Sequence, residues 1–69
     1  MFKKLKEIRN SQKVSAEKMA SILGLETKAA YYKKENGSVK FTLSEARKVS
    51  NFFGLTIEEI FFNDEIKGV

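Results

Sequence analysis

The side chains able to do chemistry in this sequence are mostly cations, and they are unevenly placed. Residues 1–40 hold ten Lys and Arg against four Glu, a balance of +6, whereas residues 41–69 hold three against five, a balance of −2. The basic half is where an anionic partner would bind, although Lys-rich helices are also common as plain solvated faces. Within that half, Lys28-Ala29-Ala30-Tyr31-Tyr32-Lys33-Lys34-Glu35 brings together ammonium groups, phenols and methyls. These are the groups that meet phosphates and base edges. Catalysis has little to stand on. With no His and no Cys, the commonest general base, the most reactive nucleophile and the usual zinc ligands are missing. The carboxylates sit in surface-like pairs such as Glu58-Glu59 and Asp64-Glu65. The expectation is a binding protein, not an enzyme, with no metal, cofactor or small-molecule ligand.

Such groups must be positioned by a small scaffold. A chain of 69 residues forms one domain that hides only about 60% of the surface its unfolded chain exposes. No disulfide or zinc staple is available, so packing, aided by dimerisation, has to suffice. The longest apolar runs fall far short of the ~20 residues that span a bilayer, and Met1 leads into charged sequence, not a signal peptide. A cytoplasmic protein without a membrane segment is expected.

The chain has no Pro, and its few Gly fall between stretches of helical apolar period. Five helices are expected, in an all-α domain over residues 1–62 with a tail over 63–69. The first, Met1 to Ser11, places Phe2, Leu5 and Ile8 on one side. The second is capped by Ser15, carries Ala16, Met19, Ala20 and Leu23 inward, and ends at Gly24. The third is capped by Thr27 and runs to Glu35, where Asn36-Gly37 breaks it. The fourth opens on a Thr42/Glu45 capping box, buries Leu43, Ala46, Val49 and Phe53, and stops at Gly54. The last is capped by Thr56, has Glu58 and Glu59 in its first turn, and presents Leu55, Ile57, Ile60 and Phe61 as an apolar stripe.

Helices two and three, joined by a tight turn, form the pairing that can project its second member into a major groove. Ala20 supplies a small residue at the crossing, and Gly24 lets the chain reverse. Many helical hairpins share that Ala-x-x-x-Gly spacing, so the order of the flanking segments must support it. Leu5-Lys6-Glu7-Ile8-Arg9, Ser15 through Leu25, Glu35-Asn36-Gly37, Thr42 through Val49 and Phe53 through Phe61 follow one another in the order of a known family. The chain resembles the Cro and phage-repressor (Xre-type) helix-turn-helix proteins along nearly its whole length. The resemblance implies a five-helix, lambda-repressor-like DNA-binding domain. Two departures stand out. Ala16 occupies a position where many members have a Gln that reaches phosphate or a base edge, a contact alanine cannot make. Gly24 and Gly37 are also one residue further apart than usual.

With the extra residue placed in the turn near Glu26, Tyr31 faces the core, its hydroxyl in water. Lys28, Ala29, Tyr32 and Lys33 then face base edges; placing the residue elsewhere would rotate that face by about 100°. Phosphate contacts are expected from Ser15, Lys18, Lys34, Ser38, Lys40 and Thr42. The resemblance further implies that Arg9 and Glu35 pair structurally between the first and third helices. Part of the last helix's apolar stripe must cover the core, but two adjacent phenylalanines, Phe61 and Phe62, cannot both point inward from one helix. One is left for a partner, and Ile57, Ile60, Phe61 and Phe62 are expected to supply a dimer interface. The function implied is a transcriptional repressor, active as a homodimer on a pseudo-palindromic operator in double-stranded DNA, with recognition helices about 34 Å apart. The alternative is a protein-interaction module, an antirepressor or immunity-type factor that uses the same fold without DNA. A helical RNA binder would need an aromatic platform or an arginine-rich segment that is missing here.

Overall fold

The computed structural model describes residues 2–62, which form five helices and no strand: α1, Lys3–Ser11; α2, Ala16–Leu23; α3, Lys28–Glu35; α4, Leu43–Phe53; and α5, a single wide π-type turn over Glu58–Phe62. Met1, expected at the head of the first helix, and the expected tail over 63–69 lie outside the described residues. Among the described residues no helix is long and apolar enough to cross a membrane.

Local chemistry sets the boundaries. Ser15 Oγ accepts from the Lys18 N–H at 3.0 Å, and Thr27 Oγ1 accepts from the Ala30 N–H at 3.1 Å. Thr42 and Glu45 cap each other reciprocally, as do Thr56 and Glu59. Each bond satisfies an N–H that the first turn of a helix leaves without a partner. At the other ends, Gly24 and Gly54 adopt the left-handed conformation at φ 73° and 69°, which an L side chain would strain. Lys13, at φ 57°, performs the same reversal after α1 without being glycine.

The helices pack around α2, which lies against α3 and α4, while α1 bridges α5 and α3. Each helix contributes one large side chain less than 2% exposed: Leu5, Met19, Tyr31, Val49 and Ile60. A second apolar centre joins distant parts of the chain. Phe2, Phe41 and Phe61 meet edge to face with ring centroids 5.0–5.4 Å apart, a favoured aromatic geometry. They link the start of α1, the α3–α4 loop and α5.

Two expectations about the core need correction. Leu43 is not buried but 71% exposed. At 100° per residue it sits about 90° from the centre of the stripe formed by Ala46, Val49 and Phe53, so it flanks the buried face. Ile60 and Phe61, expected in a dimer interface, are interior residues at 1% and 6% exposure. The turn directs both into the core and leaves Phe62 outside. Accordingly, Ile60→Ala should cost about 2–5 kcal/mol, a large share of the stability of so small a domain. Leu43→Ser should change it by less than about 0.5 kcal/mol. Chemical denaturation of both variants checks this, and similar losses in the two would contradict the burial pattern.

Candidate nucleic-acid interface

The candidate surface is built on α3, whose two sides are chemically opposed. Tyr31, Lys34 and Glu35 are buried, whereas Lys28, Ala29, Tyr32 and Lys33 are exposed. At 100° per residue those four span an arc of about 140°. The helix begins at Lys28 because Thr27 caps it, and Leu25 and Glu26 stay in the turn. This helix start agrees with the register expected when the extra residue is placed in the turn near Glu26.

The buried side of α3 is fixed by charge. Arg9 donates from Nε to Glu35 Oε2 at 2.8 Å and from Nη2 to Glu35 Oε1 at 3.3 Å, and its Nη1 donates to the Val14 carbonyl at 3.0 Å. Tyr31 completes the cluster: its hydroxyl donates to Glu35 Oε2 at 2.8 Å. That hydroxyl was expected in water, and the i, i+4 spacing of Tyr31 and Glu35 is the signal that could have placed it. The Glu35 bond holds the guanidinium pKa up against the effect of burial. Burial first, then the Glu35 contact, pushes the Tyr31 phenol up as well. The Arg9 guanidinium and the Tyr31 phenol therefore both keep their protons through the physiological range. The backbone reinforces the same junction, since the Phe2 N–H donates to the Glu35 carbonyl at 3.0 Å.

Around this helix, Ser15, Lys18, Ser38, Lys40 and Thr42 are exposed. Ser15 and Thr42 cap α2 and α4, and the Ser38 N–H is held by Asn36 Oδ1 at 3.0 Å. Lys34 departs from its expected place at a phosphate. It is 9% exposed, and its ammonium donates to Glu45 Oε1 at 2.9 Å and to the Lys40 carbonyl at 3.1 Å. Three residues after Tyr31 it shares the buried arc, so helix periodicity places it inside. Ala16 is buried too, and its methyl belongs to the core.

Ile57 is half-buried, and Phe62 is 44% exposed beside Val39 at 43% and Leu43. They border a cleft of about 560 Å³ floored by Phe41 and Phe61. The exposed apolar groups around this cleft are therefore Val39, Leu43 and Phe62, not Ile60 or Phe61, while Phe52, 42% exposed, lies outside its lining.

Glu45 ties the end of α3 to the start of α4. Burial pushes its carboxyl pKa up, but bonds from the Thr42 N–H and the Lys34 ammonium to the same Oε1 outweigh that, and the group titrates below its ordinary 4.5. A carboxyl depressed in the fold adds stability above its unfolded pKa, and that contribution is lost as pH falls through 4.5 and below. Thermal unfolding of Glu45→Gln should therefore lose less stability than the wild type between about pH 5 and pH 3. Parallel curves would contradict this assignment.

A model of the helix-turn-helix family matches residues 5–60. Neither a curated protein nor a solved structure matches the chain at a significant level. The match begins in α1 and ends in α5, so it covers the arrangement that holds α3 as well as the two helices of the motif. The chain belongs to the Xre-type helix-turn-helix family, whose members are DNA-binding transcription regulators.

Proposed function

We propose that this protein is a sequence-specific repressor that binds a pseudo-palindromic operator as a homodimer. The observation that supports this best is the division of α3, with Lys28, Ala29, Tyr32 and Lys33 exposed on one arc and the opposite arc locked into the core. A groove-reading helix needs both: side chains free to reach base edges and a body that cannot turn. Lys28 and Lys33 donate to guanine O6 or N7, the Ala29 methyl meets a thymine methyl, and the Tyr32 hydroxyl reaches a base or a phosphate. Ser15, Lys18, Ser38, Lys40 and Thr42 hold the backbone and set the register.

Selection from a random-duplex pool should recover a two-fold-symmetric consensus. Lys40→Ala should weaken binding to all sequences and lower the salt slope by about one. Lys34→Ala should instead lower stability, because its ammonium is committed internally. Weak binding without a consensus would contradict the reading. It would favour the rival interaction module, which the exposed Val39, Leu43 and Phe62 could equally serve.

The dimer face in this proposal comprises Ile57 and Phe62, extended by Val39 and Leu43, and replaces the set that included Ile60 and Phe61. Sedimentation equilibrium should show a dimer that Phe62→Ser shifts toward monomer with unchanged helicity. A wild-type chain that remains monomeric on its consensus duplex would overturn the two-fold arrangement.

A further inference from the structure

One side chain on the exposed arc of α3 makes contacts of its own with a neighbouring helix. Tyr32 is 45% exposed, yet its ring lies over the Arg9 guanidinium, 5.8 Å from Cζ to the ring centroid. The Tyr31 ring supports it from the helix side at 6.3 Å, inclined by 55°. Arg9 is itself fixed by its bonds to Glu35 and to the Val14 carbonyl. Those bonds use the edge of the guanidinium plane and leave its face free to stack. Among the described residues, neither Lys28 nor Lys33 makes a side-chain hydrogen bond or ion pair, so only Tyr32 of the four is anchored by a second helix.

We propose that Tyr32 is a specificity-determining residue of the DNA interface and that Arg9 is its positioning residue. The proposal rests on the DNA-binding reading and names a determinant within it. A lysine on a flexible stem satisfies acceptors over a wide region, which lends affinity but discriminates poorly. A phenol in cation–π contact with a fixed guanidinium has a preferred place for its hydroxyl and ring edge in the groove. There it fits one pattern of base-edge groups and leaves others unpaired. Its rotamer freedom is surrendered on folding, so binding does not have to restrict it again. Arg9 thus serves two neighbours, with its N–H groups on Glu35 fixing α3 and its charge over the Tyr32 ring positioning the reader.

The test compares the wild type, Tyr32→Ala, Arg9→Lys and the double variant. Each is first shown to be folded by circular dichroism, then measured on the consensus duplex selected by the wild type and on all its single-base substitutions. Tyr32→Ala should lower discrimination at one base pair about tenfold and leave other positions unchanged. Arg9→Lys keeps the charge but has no planar face, and should lower discrimination at the same base pair about two- to fivefold. In the double variant the two effects should not add. Proton couplings across the Tyr32 Cα–Cβ bond should report one rotamer in the wild type and an average in Arg9→Lys.

A purely structural Arg9 would weaken all duplexes alike and leave base preference intact, which would overturn its positioning role. If Arg9→Lys does not fold, the wild-type couplings decide that point, and an averaged rotamer overturns it. Unchanged preference in Tyr32→Ala overturns the specificity role while the DNA-binding reading stands. A wild type that selects no consensus overturns both.

Discussion

The carboxylate of Glu35, on the last turn of α3, receives hydrogen bonds from Arg9 on α1 and from Tyr31 on its own helix. Its main-chain carbonyl accepts from Phe2 just ahead of α1. Three partners meeting at one residue leave α3 little freedom to rotate about its axis or slide along it. The orientation of every exposed group on α3 follows from that. An interface that reads base edges tolerates small angular errors poorly, because direct readout depends on donors and acceptors meeting across a few ångströms.

The rest of the helix's stability depends on different physics. An isolated helix of eight residues is not stable in water, because so few hydrogen bonds do not offset nucleation. The Thr27 cap starts α3, the fully buried Tyr31 ring holds its middle to the core, and Lys34 joins its end to Glu45 at the entrance of α4. The Thr42–Glu45 capping box therefore does more than begin α4. Its carboxylate also receives the Lys34 ammonium, which links the end of α3 and the exposed loop through Ser38 and Lys40 to a fixed helix start.

What was legible in the sequence was local. Ser15, Thr27, Thr42, Gly24 and Gly54 mark helix ends because capping is decided by a side chain and the backbone within three residues of it. The inward residues of α2 were equally readable, since Ala16, Met19, Ala20 and Leu23 follow one uninterrupted period. The misplacements arose where a neighbour decides. Leu43 shares the apolar character of its helix but lies at the margin of its stripe, and no residue type announces that. The stripe of α5 has to serve both the core and the expected dimer face, and its residue types do not say that Ile60 and Phe61 belong to the core and Phe62 to the surface. The cluster of Phe2, Phe41 and Phe61 settles it by drawing Phe61 in. Lys34 was misread because charge outweighed periodicity. The acceptors that satisfy it, Glu45 and the Lys40 carbonyl, lie beyond its helix and become visible only when the loop is folded. The exposed arc of α3 followed from one decision, that the extra residue belongs to the turn, and Thr27 as a cap was its local evidence.

Placing two ion pairs inside so small a core needs a physical reason. Removing a charge from water costs several kcal/mol, and a buried pair often does no better than well-packed apolar residues of the same volume. Net stability is therefore a weak explanation for Arg9–Glu35, with side chains 8% and 6% exposed, or for Lys34–Glu45, at 11% and 15%. Direction is a better one. Apolar contacts depend little on angle, so leucines between α1 and α3 would hold the helices together while allowing small rotations. A guanidinium fork on a carboxylate accepts one plane and one distance, and the ammonium of Lys34 must meet two acceptors at once. One pair joins the end of α3 to α1 and the other joins it to the start of α4. They are placed where an angular error would be passed directly to the exposed arc, and where the hydrophobic core alone is least able to prevent one.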